Sequence, residues 1–224
     1  MHDQTQDALS DILRLIRLKG CVYFQSDFSS PWGMAMGSGA FAQFHMVIRG
    51  QCWLSLADER HLLATGDVVV MPQGDPHALR DDPATETESG PDVLAAIQSG
   101  HPPFQDGEPS ARLLCGHFEF DRALNHPLIE DLPRLIWIKG MGRNQPGWLE
   151  AIAPILVSET GTGRPGADTI VERLAEVLLI QVLRAHLLQQ SRGNSAGQGF
   201  LAALGDRQIN GALKFIHLGT SRDI

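Results

Sequence analysis

Apolar residues near the start of the chain recur with the period of a helix. Leu9, Ile12, Leu13 and Ile16 stand at i, i+3, i+4 and i+7, with Arg14 and Arg17 among the polar positions and Gly20 as a stop signal. The spacing predicts one amphipathic helix. From Val22 to about Phe120 the rhythm changes: short apolar runs such as CVYFQ, FAQFHMVIRG, CWLSLA and ARLLCGHFEF are separated by Gly, Pro and Asp. Runs of this kind predict an antiparallel sandwich or barrel. Within GDVVVMPQGDPH (66–77), Val68, Val69, Val70 and Met71 predict a buried strand, because β-branched side chains favour a pleated backbone. Pro72 cannot donate to a ladder and closes that strand. Gly74, Asp75 and Pro76 predict a turn that fixes His77 where the next strand begins.

From Asp81 to Pro109 the alternation stops. DDPATETESGPD holds five acidic residues and no basic one, and predicts a long loop with a short helical turn at VLAAIQS. Such a loop is either a functional lid or a plain insertion. Beyond Phe120 the helical period returns. Trp148, Ile152, Ile155 and Leu156 share a face, with Pro154 expected to kink or shorten that helix. A longer helix is predicted from Asp168, where Thr169 and Glu172 have capping-box spacing. Its stripe of Val171, Leu174, Leu178, Val182 and Ala185 must pack on the barrel or on a second copy of itself. SRGNSAGQG (191–199) predicts a linker. Asp206 would then cap a last helix with Ile209, Ala212, Leu213 and Ile216 on its apolar face. The expected organisation is one domain over 1–190, a linker over 191–204 and the first helix of a further domain over 205–224.

Composition narrows the function classes. The chain has 224 residues, 43% of them hydrophobic, which is ample for a core. With 26 acidic against 18 basic side chains the net charge is -8, so the surface repels phosphate and needs a separate basic module to grip nucleic acid. Three cysteines, Cys21, Cys52 and Cys115, an odd number in a long chain, argue against a disulfide framework and for a reducing cytoplasm. No signal peptide and no run of membrane-spanning length is expected, so no membrane partner is.

The spacing of Gly66, Pro72, Gly74 and His77 resembles the second motif of the cupin superfamily. The first cupin motif is reduced to FHMVIRG, where His45 stands alone of the usual histidine pair and glutamate. The order of ALSDILRLIRLKG, PWG, FAQFHMVIRGQCWL, GDVVVMPQGDPHAL, LLCGHFEF and HPLIEDLP resembles the cupin-type sensor half of AraC-family transcription regulators. That resemblance implies a mainly β fold with added helices, a cupin-like antiparallel barrel (double-stranded β-helix). It also implies an unidentified small-molecule effector, a homodimer, and DNA contact through a C-terminal half. LGDRQINGALKFIHLGTSRD is similar to the entry into that half, whose remaining helices would lie past Ile224; a shortened chain that does not itself bind DNA in the family's mode is expected.

Alternation along a strand puts Cys115 and His117 on one face, about 7 Å apart at the backbone. Together with His45 and His77 they make a Cys-His-His-His set with donors suited to zinc. Alternatively Cys115 is an ordinary buried thiol. Gly116, Phe118 and Phe120 share the opposite face, and two phenylalanines there compete for the core. Trp32, Phe44 and Trp53 are candidates to line a ligand pocket, with core packing as their other fate, and Arg49 is a candidate contact for an anionic ligand. His61, His101, His126, His186 and His217 have no comparable partner in the pattern. No nucleophile elbow, phosphate-cradling loop or dinucleotide fingerprint occurs, and GMAMGSGAF predicts a flexible loop. The expected function is ligand sensing and dimerisation without catalysis; the alternative is a stand-alone cupin metalloenzyme, an oxygenase or isomerase.

Overall fold

In the computed structural model, which describes residues 8–120, 127–140 and 147–192, the alternating runs become strands. In order they are β1 (Lys19–Ser29), β2 (Gly33–Met36), β3 (Ala42–Leu56), β4 (Glu59–Ala64), β5 (Val68–Met71), β6 (His77–Arg80), β7 (Glu88–Ser89), β8 (Pro109–Glu119) and β9 (Ile136–Ile138). The helices are α1 (Ala8–Leu15), α2 (Gly90–Gln98), α3 (Pro127–Glu130), α4 (Gly147–Glu159) and α5 (Ala167–Arg192). The chain divides into two compact units. One comprises Lys19–Glu119 with Pro133–Gln181; the other comprises Met1–Leu18, Phe120–Leu132 and Val182–Ile224. In the second unit Ile12, Ile16 and Leu128 are buried.

The first unit is a curled sheet whose two halves share β3. The N-terminal part of β3 runs between β8 and β5, with β1 beyond β8 and β9 beyond β5. The C-terminal part runs between β4 and β6, followed by β2 and β7. All pairings are antiparallel except β2 with β7. The sheet therefore has the antiparallel, mainly β character that the alternation predicts.

One strand serves both halves because it carries an extra residue. The pairing of β3 with β8 slips between Val47 and Arg49. A bulge of this kind exchanges the two faces of a strand. Ahead of it His45 and Val47 point inward; after it Cys52, Leu54 and Leu56 do, joining Phe24, Phe28, Trp32, Val69, Met71 and Leu113 in the core.

Both faces of the β1–β8–β3 region are covered. Phe118 and Phe44 stack on the face opposite Cys115, with ring centroids 4.7 Å apart, and both are fully buried. Phe118 thus has a core of its own with Phe44 and does not displace Cys115, while Phe120 is half-buried just past the end of β8. Gly20, paired with Phe118 across β1 and β8, lies so close to α5 that a Cβ there would stand 2.5 Å from the Cβ of Ala175.

Several local expectations are revised. The helix carrying Pro154 continues past it to Glu159, and its buried positions are Leu149, Ile152 and Leu156, whereas Ile155 is 49% exposed. The helical turn expected at VLAAIQS is present as the longer α2, and the acidic segment ahead of it also carries β7. Ser191 and Arg192, assigned above to the linker, belong to α5. The remainder of the linker and the helix expected over 205–224 lie outside the described residues.

A buried thiol–imidazole chain at the floor of an apolar cavity

The punctuation around Pro72 builds the first part of the site. β5 ends at Met71, ahead of the residue that lacks an N–H, and Gly74 turns the chain with φ +68°, a conformation that suits glycine. His77 then opens β6, and its Nδ1 lies 2.8 Å from the carbonyl oxygen of Asp75. Asp75 is itself held by Arg134, at 2.7 Å from Nη2 to Oδ1. The inward-facing part of β3 supplies His45, and its register partner on β8 is Cys115.

These residues form a continuous chain. Cys115 Sγ is 2.9 Å from His45 Nδ1, and His45 Nε2 is 2.8 Å from His77 Nε2. All three side chains are buried. The end of the chain fixes its protons. A carbonyl only accepts, so His77 donates from Nδ1 to Asp75. Neutral His77 then has its lone pair on Nε2, and His45 must donate to it from its own Nε2. His45 Nδ1 is left as the acceptor for the Cys115 S–H. Burial favours this uncharged arrangement. It holds His45 well below the usual histidine range, with His77 beside it adding to the effect. Burial also lowers His77, against the opposing pull of the Asp75 carbonyl and carboxylate. Burial pushes the Cys115 thiol well up, reinforced by Cys52 nearby.

His117 stands apart from this chain. It shares a face of β8 with Cys115, but its Nε2 donates to Glu119 Oε1 at 3.1 Å, and its ring lies against Tyr23 and Phe41 at 4.8 and 4.7 Å. Its buried Nδ1 has no hydrogen-bond partner among the described residues. The four residues considered for zinc therefore do not converge on one point. His45 turns its two nitrogens toward different partners, and two imidazole nitrogens 2.8 Å apart would close the angle at a shared zinc ion well below tetrahedral. Among the described residues no group of three or more His, Cys, Asp or Glu side chains is placed to hold a metal ion. The donor set as arranged does not fit a tetrahedral zinc site.

Above the chain opens a cavity of about 300 Å3. Tyr23 and Phe24 of β1, Met34 and Met36 of β2 and Leu94 of α2 form apolar walls. Gln43, His45 and Cys115 form its polar floor, and Gly37, Ser38 and Gly39 lie along its rim. The acidic insertion is thus part of the cavity wall through α2.

The four aromatic and basic candidates sit elsewhere. Trp32 is fully buried in the core, stacked on Phe28 at 5.0 Å, with its Nε1 donating to Ser110 Oγ at 3.2 Å. Phe44 lies on the face opposite His45, against Phe118. Trp53 follows the bulge, and the exchange of faces there puts it opposite the buried Cys52 and Leu54. Arg49 points outward to Asp27 at 3.2 Å. Sequence reasoning missed Tyr23, Met34, Met36, Gln43 and Leu94. The spacing of Gln43 two residues before His45 was the available signal.

Comparison with known proteins follows the same lines. A cupin family model matches residues 7–188. An HTH-type transcriptional regulator of Haemophilus influenzae is 27% identical over 219 residues, covering 92% of this chain and 67% of that protein. A putative AraC-like transcription regulator of Streptomyces lividans is 28% identical, covering 96% of this chain and 70% of the relative. The regulator AlkR of Acinetobacter baylyi is also 28% identical, with 94% and 70% covered. Among solved structures, fatty-acid-bound ToxT of Vibrio cholerae aligns over 75% of this chain and 55% of its own, at 9% identity and a TM-score of 0.41. On the match over residues 7–188, the chain belongs to the cupin family, in the form that resembles AraC-like transcription regulators.

Proposed function

We propose that this chain is the effector-sensing and dimerising part of a transcription regulator, acting in the cytoplasm and without catalytic turnover. One observation carries the reading: a chain whose relatives are named as transcriptional regulators contains an apolar cavity with a small polar floor, the usual form of a small-molecule site. DNA recognition belongs, on this reading, to the share of the relatives' length that this chain does not span.

The fold offers a route from cavity to helix. β1 carries Tyr23 and Phe24 in the cavity wall and, a few residues earlier, Gly20 against Ala175 of α5. A ligand that favours one position of β1 would bias the placement of α5 by the difference in its affinity for the two arrangements. The outer face of α5 exposes Ile170 and Val177, at 42% and 38%, which makes this helix the candidate dimer surface.

Thermal denaturation of the purified chain against a panel of small, largely apolar compounds tests the cavity. A specific binder raises the melting temperature by mass action. Filling the space with Leu94→Trp should abolish that rise while the protein stays folded. A rise that survives the filled cavity would place the binding site elsewhere and defeat the reading.

A further inference from the structure

The cavity floor is chemically unusual for a site that only has to be apolar. An aliphatic residue in place of Cys115, His45 or His77 would carry no desolvation cost, yet all three polar groups are buried here, with every proton directed toward the next acceptor. Its order is that of a nucleophile, a base and a group that orients the base. The sulfur and the base lie side by side in the cavity floor. Among the described residues the lining contains no lysine, arginine, aspartate or glutamate, so nothing would offset the cost of stripping water from an ionic ligand.

We propose that Cys115 captures an uncharged α,β-unsaturated carbonyl compound in this cavity as a thioether, with His45 receiving the thiol proton and His77 positioning His45. The inference rests on the cavity being the effector site. It assigns the effector to a chemical class and makes its retention covalent.

The residues have separate tasks. At rest the buried sulfur keeps its proton, because a thiolate would lack solvation. Attack therefore requires that proton to leave as the S–C bond forms, and His45 Nδ1, 2.9 Å away, is where it goes. Sγ bonds to the β-carbon, and the C=C π pair shifts toward the carbonyl to give an enolate. The α-carbon then takes back the proton from His45. One S–C and one C–H bond replace one S–H bond and one C=C π bond, and no oxidant or reductant is consumed. His77 accepts from His45 Nε2 throughout, which keeps the Nδ1 lone pair aimed at sulfur. Gln43 lines the same floor and offers an amide N–H to the carbonyl oxygen, on which negative charge grows. The apolar walls receive the alkyl chain.

Incubation of the 224-residue chain with oct-3-en-2-one, and separately with the saturated octan-2-one, tests this by intact mass, peptide mapping and melting temperature. The enone is expected to add one equivalent at Cys115 ahead of Cys21 and Cys52, and the saturated ketone is expected to raise the melting temperature reversibly. His45→Gln should slow the addition on the order of a hundredfold. His77→Gln should slow it less, and Cys115→Ser and Cys115→Ala should both abolish it with an unchanged circular dichroism spectrum. If both ketones stabilise the protein and its mass stays constant, or if the label goes to Cys21, covalent capture is wrong and the effector cavity stands. If neither ketone shifts the melting temperature or adds to Cys115, the cavity reading falls with it.

Discussion

His45 and His77 are held neutral by burial, and this has a direct consequence for stability. Their folded-state values lie below the unfolded value of about 6.5, so the unfolded chain binds more protons than the folded one once pH drops beneath that point. Stability is insensitive to these residues above about pH 7 and falls as pH drops below about 6.5, with a slope approaching 1.4 kcal/mol per pH unit for each histidine, an order-of-magnitude limit. Melting curves from pH 7.5 down to about 5.5 should show this decline, and His77→Gln should flatten it. A melting temperature that holds constant over that window would contradict neutral burial. Asp67 gives a second residue-scale test. Its carboxylate accepts from the Gly140 N–H at 2.8 Å, and from the Ala64 N–H and Trp137 Nε1 at 3.1 Å each. Asp67→Ala strands these donors and should cost about 3 kcal/mol in urea denaturation.

At the scale of elements, punctuation was the most legible part of the sequence. Pro72 and Gly74 gave the end of β5, the turn and the start of β6 at His77 without any long-range information. Alternation also put Cys115 and His117 on one face of β8, although the pairing of that strand with β3 did not follow from it. What alternation cannot carry is a bulge. One extra residue between Val47 and Arg49 reverses the faces, so Trp53, a candidate to line the pocket, lies outside. The protons of the His45–His77 pair were equally hidden, because they depend on a backbone carbonyl at Asp75 and not on any side chain in the pattern. Pro154 misleads in the opposite direction: the helix tolerates it, and burial shifts to Leu149. The contact of β1 with α5 supplies the prediction at this scale. A side chain at Gly20 would meet both the Cβ of Ala175 and the backbone nitrogen of Glu176, at 2.5 and 2.9 Å. Gly20→Val should therefore destabilise the protein by roughly 1–3 kcal/mol. Gly20→Ala combined with Ala175→Gly should recover part of the cost of Gly20→Ala alone, because only one of the two clashes is relieved.

For the whole molecule, the functional assignment depends on whether the exposed apolar residues of α5 meet a second copy. Ile170→Glu with Val177→Glu changes the surface and leaves the buried face of the helix intact, so sedimentation should shift toward the monomer with little change in melting temperature. A double variant that sediments like the parent would remove α5 from the interface. The shared strand β3 has a wider consequence. Because its two ends belong to different halves of the sheet and are out of step by one position, its length is under tighter constraint than its letters. Removing Trp53 would turn Leu54 and Leu56 to water, whereas removing Ile48 takes out only the bulge and leaves Val47, Cys52, Leu54 and Leu56 on the inward face. A scan of single-codon deletions should therefore find almost no survivors over residues 52–54, with the loss of Ile48 the better tolerated change. On either side of the bulge, what this strand says can change more freely than how many residues it takes to say it.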